Sequence, residues 1–187
     1  RNVKINVFEE GVGTYRSDLY SGVKKVIFDA LGIGTSFGGC YFTDGVYVFE
    51  DDQYRETFPG SKAGVVKILC GITDVITSDF RSWSYIMNYK EVEPRKSGIC
   101  NIYLSSWNFD TDFLQEFCKM DGDKFIKPHP HIKENLDFTF AKTLGQTAPA
   151  ELILLDLAQK YNSVSVFHHG TSSQKYVHKS NVHFFLC

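Results

Sequence analysis

Long apolar runs are missing from this sequence: no stretch reaches the roughly 18–20 residues that a helix needs to span a bilayer. Neither sign of charge dominates, because the formal net charge is −2, so no basic face for nucleic acid is expected. Cysteine is sparse, with five widely spaced residues and no Cys-x-x-Cys pair. Neither a disulfide framework nor a cysteine zinc site is expected, and reduced thiols in a cytoplasmic protein are the better interpretation.

Apolar and aromatic residues, by contrast, are plentiful, at 43% and 15% of the 187 residues. This composition predicts a well-packed core and argues against disorder. The length suits one large domain or two small ones. Because the chain opens at Arg1 and not at a methionine, we expect upstream sequence to be missing, including part of an N-terminal lobe.

Strand and helix patterns alternate along the chain, most regularly in its second half. The polar segment Glu91–Gly98 contains Pro94 and is the best candidate for a linker, which would divide the chain into lobes 1–93 and 94–187. The alternation predicts an α/β fold, with a Rossmann-type parallel sheet and helices on both faces. Strands are predicted over 3–8, 46–49, 65–69, 99–104, 124–127, 164–167 and 182–186, and helices over 23–31, 79–89, 111–120, 150–161 and from 172 or 173.

Three of the predicted strands end in clusters of polar residues. They are Glu9-Glu10-Gly11, Pro128-His129-Pro130-His131 and the segment from His168 to Ser173. Because ligands bind at the carboxyl ends of strands in open parallel sheets, we expect these clusters to form one site.

These clusters resemble the motifs of bacterial sialyltransferases with the GT-B fold, which share an acidic-acidic-Gly motif, a His-Pro motif and a Ser-Ser/Thr motif, in that order. Here the motifs read Glu9-Glu10-Gly11, His129-Pro130 and Ser172-Ser173. Between the last two, Ala148-Pro149-Ala150-Glu151-Leu152 is similar to the Pro-x-Glu helix start of the lipooligosaccharide sialyltransferases, glycosyltransferase family 52. The match in motif order covers nearly the whole chain.

The resemblance implies a GT-B-like enzyme that transfers sialic acid from CMP-sialic acid, with inversion and without a metal or other cofactor. It implies a nucleotide-sugar donor and a galactose-terminated glycan acceptor, with the protein in the cytoplasm, and it is compatible with peripheral association with the inner membrane face and with a homodimer. Glu10 would be the base, although many relatives have Asp there, and His129 would act on the departing phosphate. Donor-binding roles would fall to Glu9, Gly11, Pro130, Glu151, Gly170, Ser172 and Ser173.

Elementary chemistry is compatible with these roles but also offers simpler ones. A carboxylate suits proton removal from an acceptor hydroxyl, and a histidine held between two prolines suits contact with a phosphate. Ser172 and Ser173 are expected at a helix N-terminus, where free N–H groups bind anions, but a plain helix cap explains them too. The resemblance implies that Glu151 binds the donor's ribose or cytosine, although the helix dipole alone favours an acid there.

Other functions remain open at the level of sequence. Kdo or another CMP-sugar could replace sialic acid, and a polysialic acid chain could be the acceptor. A zinc hydrolase would use His129 and His131 with His168, His169, Glu9 or Glu10 as ligands. A non-catalytic module that binds a nucleotide or a glycan is the third class.

Overall fold

A computed structural model describes residues 3–9, 11–17, 20–93, 98–132 and 137–187. The protein is α/β, and it has one three-stranded and one five-stranded sheet, with every described strand pair parallel. The predicted fold class is therefore confirmed. The chain forms two compact units, residues 1–71 and 72–187. No described helix has both the length and the apolarity to cross a membrane.

The first unit is built on strands β1 (Asn6–Phe8), β2 (Gly45–Val48) and β3 (Gly64–Lys67), in the spatial order β1-β2-β3. It also contains a 3-10 helix (Val12–Tyr15) and the helices α1 (Gly22–Ala30) and α2 (Asp51–Thr57). Its core is small and is formed by buried residues of the central strand and the adjacent turns of helix, namely Tyr15, Val46, Val48 and Tyr54.

Helix α2 lies between β2 and β3, where the sequence analysis predicted no helix. Asp51 and Asp52 lie in its first turn, where the helix dipole favours negative charge. Tyr54 is its one buried residue, so the segment has no repeating apolar pattern that would reveal the helix.

The second unit begins with helices α3 (Ile72–Ser78) and α4 (Phe80–Ile86). Its strands are β4 (Ile99–Leu104), β5 (Asp123–Lys127), β6 (Lys142–Thr143), β7 (Ser163–His168) and β8 (Val182–Leu186). Its remaining helices are α5 (Thr111–Phe117), α6 (Ala150–Lys160) and α7 (Ser173–Tyr176). The spatial strand order is β6-β5-β4-β7-β8.

Helices cover both faces of the five-stranded sheet, as the sequence predicted. Successive residues of a strand point to opposite faces. On β4, Ile102 packs into a core with the leucines of α6, whereas Tyr103 packs on the other face with Phe117 of α5. Asp110 caps α5 by accepting a hydrogen bond from the Phe113 amide (2.9 Å).

The unit boundary after residue 71 differs from the sequence-based division at 93/94. Ile76, Tyr89 and Val92 belong to the same core cluster as α6. Buried Asp156 of α6 accepts hydrogen bonds from the Tyr89 hydroxyl and the Val92 amide, both at 2.8 Å. The segment preceding residue 94 is therefore packed against the second unit, and residues 94–97 of the predicted linker lie outside the described residues.

The strand order creates a reversal point beside β4. The chain passes from β4 to β5 on one side and, after β6 and α6, reaches β7 on the other side of β4. Loops that leave the carboxyl ends of strands at such a point diverge, and the crevice between them is the usual ligand site of open α/β sheets.

Candidate functional site

A pocket of about 260 Å³ lies at this carboxyl edge of the second sheet, and we call it the strand-end pocket. The loops after β4, β5, β6 and β7 line it together with the first turn of α6. The lining residues are 104–105, 127–130, 146–151 and 171–173. Of the residues predicted from sequence, it brings together His129, Pro130, Glu151, Ser172 and Ser173. Gly170 precedes the last lining segment, and Glu9 and Gly11 belong to the first unit.

His129 is held by its backbone and by its ring. Its amide donates a hydrogen bond to Ser105 Oγ (2.8 Å), and its Nδ1 accepts one from the His131 amide (3.3 Å). Burial, then the neighbouring His131 and Lys127, lower the pKa of His129 below the usual histidine value. With Nδ1 accepting, the neutral ring carries its proton on Nε2 and can donate a hydrogen bond to a ligand oxygen.

The Trp107 side chain covers both histidines of the loop after β5. Its ring centroid lies 5.5 Å from that of His129 and 4.6 Å from that of His131, with the rings nearly parallel. This aromatic packing restricts rotation of the His129 imidazole, and the flanking prolines restrict its backbone. Trp107 and Ser105 belong to the loop after β4, and the sequence analysis did not predict that this loop forms part of the site.

Ser173 and Glu151 are bonded to each other across the pocket wall. Ser173 is buried, and its hydroxyl donates to Glu151 Oε1 (2.8 Å) while accepting a hydrogen bond from the Thr171 hydroxyl (3.2 Å). Ser172 is half-buried, and within the described part of the chain its hydroxyl has no hydrogen-bond partner. Ser172 is therefore the serine whose hydroxyl is available to a ligand.

The predicted helix start after Gly170 is present, but helix α7 has only four residues. A single turn sums few peptide dipoles, so it attracts an anion only weakly. Anion binding at this loop would have to come from the Ser172 hydroxyl and from charged neighbours.

The His168 ring fixes the backbone of the same loop through hydrogen bonds. The residue is buried, and its Nδ1 accepts hydrogen bonds from the amides of Gly170 (2.9 Å) and Thr171 (3.2 Å). Burial, and secondly the charge of His169, lower the pKa of His168. The φ angle of Gly170 is 90°, a backbone conformation that glycine adopts more easily than residues with a Cβ atom. His168 is thus a structural residue here, and His169 contacts the Tyr103 hydroxyl through Nε2 (2.9 Å).

Lys127 is a wall residue of the pocket that sequence reasoning missed. It is the last residue of β5 and only 7% exposed. Its ammonium donates to the carbonyls of Pro128 (3.3 Å) and Gln146 (3.2 Å), and no described carboxylate forms an ion pair with it. Burial lowers its pKa, and Glu151 acts in the opposite direction. A lysine closing an otherwise buried strand was the available sequence signal.

The acidic motif of the first unit is partly described. Glu9 Oε2 accepts hydrogen bonds from the Tyr15 hydroxyl and from the Phe49 amide (2.8 Å), and the Tyr15 oxygen in turn accepts one from the Glu50 amide (3.0 Å). Burial, and secondly Glu9, raise the pKa of Tyr15. Glu9 therefore joins the ends of β1 and β2. Glu10, the predicted base, lies outside the described residues.

Two larger cavities lie elsewhere and contain no predicted site residue. One, of about 510 Å³, lies at the amino ends of β5 and β6, and the other, of about 380 Å³, lies beside the glycine-rich loop after α1. Within the described ranges, no group of three or more His, Cys, Asp and Glu side chains is arranged to hold a metal ion.

Comparison of the chain with protein-family models, with curated proteins and with solved structures found no match in any of the three. The function of the protein is therefore inferred from the residues and geometry of the chain itself.

Proposed function

We propose that this protein is an inverting glycosyltransferase that moves sialic acid from CMP-sialic acid to a terminal sugar of a bacterial surface glycan. The observation that carries the proposal is the strand-end pocket, where His129, Glu151 and Ser172 come together from three separate segments. These are the three segments of the second unit in which the sequence resembles the sialyltransferase motifs.

The chemistry of the pocket suits a nucleotide monophosphate. The neutral His129 ring can donate from Nε2 to a phosphate oxygen, and Ser172 can donate from its hydroxyl. Glu151 is acceptor-only when ionised, so it suits the hydroxyls of a ribose or the amino group of cytosine. In the proposal, hydrogen-bond donors therefore contact the phosphate, and a hydrogen-bond acceptor contacts the nucleoside.

The size of the pocket also matters. At about 260 Å³ it lies just below the ~300–1,000 Å³ typical of small-molecule sites, so it would enclose only part of a nucleotide sugar. In the proposal it holds the CMP portion, and the sialyl group extends beyond it. Glu10 is the proposed base, which takes the proton from the acceptor hydroxyl while His129 stabilises the departing phosphate.

Calorimetric titration of the purified protein with CMP and with UDP tests the proposal. CMP is expected to bind and UDP is not, because a single phosphate is addressed and Glu151 can accept from the cytosine amino group, which uracil lacks. Binding is expected to persist in EDTA. Equal binding of the two nucleotides would contradict the donor assignment, and loss of CMP binding on chelation would favour the zinc hydrolase.

Activity is the second part of the test. CMP-sialic acid with a galactose-terminated acceptor is expected to yield CMP and a sialylated product. CMP-Kdo and an oligosialic acid acceptor serve as the comparisons for the two close alternatives. A protein that binds CMP without transfer to any of these acceptors would be the non-catalytic module.

A further inference from the structure

We propose that Lys127 is the anion-binding residue of the strand-end pocket and that its ammonium contacts the phosphate of the bound nucleotide. This inference rests on the proposed function for the identity of the nucleotide but not for the presence of the anion site. It assigns a role to the lysine that begins the Lys-Pro-His-Pro run, for which the sequence analysis gave none.

The Lys127 ammonium is a buried charge that forms no ion pair with a described residue. Lys127 is 7% exposed, and within the described part of the chain its ammonium has two carbonyl partners and no ion-pair partner. A lysine ammonium has three N–H donors, so one remains for a ligand. A buried charge without an ion-pair partner is costly, and the opposite charge of a bound ligand would offset that cost.

The second argument is position. Lys127, His129 and Ser172 all line the same pocket and are all hydrogen-bond donors. The one carboxylate of the lining, Glu151, is already bonded to the Ser173 hydroxyl. An anionic group in the pocket would therefore meet donors on the walls formed after β5 and β7.

The third argument is preorganisation. The two carbonyls that Lys127 contacts belong to Pro128, in the loop after β5, and to Gln146, in the loop after β6. They hold the ammonium in place before a ligand arrives, so little side-chain entropy is lost on binding. The proximity of a cation also lowers the pKa of His129 and keeps its ring a neutral Nε2–H donor.

The experiment compares the wild type with K127M, which keeps the length of the side chain and removes its charge. The matched control is K124M, because Lys124 lies on the same strand but lines the cavity at the opposite edge of the sheet. Affinities for CMP, cytidine, free sialic acid and inorganic phosphate are measured by calorimetry. Circular dichroism checks folding, and K127Q, whose amide can still donate to one carbonyl, is the second variant.

We expect K127M and K127Q to bind CMP roughly 10- to 100-fold more weakly, the range for one hydrogen bond to a charged group. Cytidine affinity is expected to be unchanged, and K124M is expected to behave as the wild type. A purely structural lysine would weaken cytidine and CMP alike, which would overturn the proposal, as would unchanged CMP affinity.

The titrations with inorganic phosphate and free sialic acid distinguish a failure of the Lys127 proposal from a failure of the proposed function. If the wild type fails to bind CMP but binds inorganic phosphate in a manner that K127M abolishes, the donor assignment fails and the anion site stands. If K127M loses affinity for free sialic acid while keeping CMP affinity, the anion is the sugar carboxylate and the phosphate assignment is overturned. A wild type that binds none of these anions overturns both.

Discussion

The Ser173 hydroxyl donates a hydrogen bond of 2.8 Å to the Glu151 carboxylate, although the two residues are 22 positions apart. The bond joins the start of α6 to the loop after β7 and thereby closes one wall of the strand-end pocket. It also gives the two adjacent serines different tasks, because Ser173 is used within the protein and Ser172 faces the pocket.

This difference predicts opposite phenotypes for two alanine variants. Ser172→Ala is expected to weaken CMP binding by about 0.5–1.5 kcal/mol, or up to ~3 kcal/mol if the phosphate is fully charged, with unchanged thermal stability. Ser173→Ala leaves the buried side of Glu151 without its donor and is expected to cost about 1–3 kcal/mol of unfolding free energy. Calorimetry and urea unfolding measure the two effects. The reverse pattern would mean that Ser173 is the ligand.

The acidic motif leads to a prediction about catalysis. Glu10→Gln removes the proposed base and is expected to lower kcat by roughly 10²–10⁴-fold with little change in CMP affinity. Glu9→Gln disturbs the bonds to Tyr15 and Phe49 and is expected to reduce unfolding free energy by about 0.5–1.5 kcal/mol, with the milder effect on kcat. Steady-state kinetics and urea unfolding of both variants provide the comparison. Full activity of Glu10→Gln would move the base elsewhere.

His168 predicts a dependence of stability on pH. Its pKa in the folded protein is lowered, so the unfolded chain takes up the proton first as the pH falls. The corresponding stability is present above about pH 6.5, the ordinary histidine pKa, and is lost as the pH falls towards the folded value. Urea unfolding between pH 7.5 and 5 should show this decline. His168→Gln should be less stable at pH 7.5 but should decline less, and parallel curves would contradict the assignment.

Asp156 predicts the stability of the second unit. Its carboxylate is 1% exposed and receives the Tyr89 hydroxyl, the Val92 amide and the Lys160 ammonium, the last at 2.6 Å. Asp156→Ala leaves the Tyr89 hydroxyl and the Val92 amide without this acceptor, while Lys160 keeps its ion pair with Glu91, and the change is expected to cost about 3–5 kcal/mol in urea unfolding. Tyr89→Phe removes one hydroxyl and is expected to cost about 1 kcal/mol. Equal losses in the two variants would mean that the carboxylate acts through Tyr89 alone.

Much of the second unit could be read from the sequence. The predicted strands 99–104 and 182–186 coincide with β4 and β8. Strand β4 is buried over most of its length and has the nearly continuous apolar run of a central parallel strand. Strand β8 lies at the sheet edge, and its β-branched and aromatic residues mark it as a strand. The approach of the loops that follow β5 and β7 was also predictable, because the carboxyl ends of parallel strands share one edge. That rule predicts that His129 and Ser172 lie close together, and both line the strand-end pocket.

Two helices and two pocket residues were not readable in this way. Helix α2 buries only Tyr54 and has no apolar periodicity. Helix α3 has Ile72, Val75 and Ile76 at helical spacing, but its seven residues are too few for the pattern to mark a helix. Lys127 directly precedes the Pro128-His129-Pro130 segment, but its sequence position alone does not show that its side chain lines the pocket, and Ser105 has no such neighbour. Their importance depends on which loops lie beside them in space.

The sequence by itself determined the α/β class, the parallel order of strands and the edge at which polar loops collect, because these follow from local apolar patterns and strand direction. Only the tertiary structure decided what each polar side chain faces. Packing turned His168 inward beneath its loop, joined Ser173 to Glu151, and left Lys127 buried at the pocket without an ion pair to any described carboxylate. Burial and distant partners set these roles, and neither is a property of local sequence.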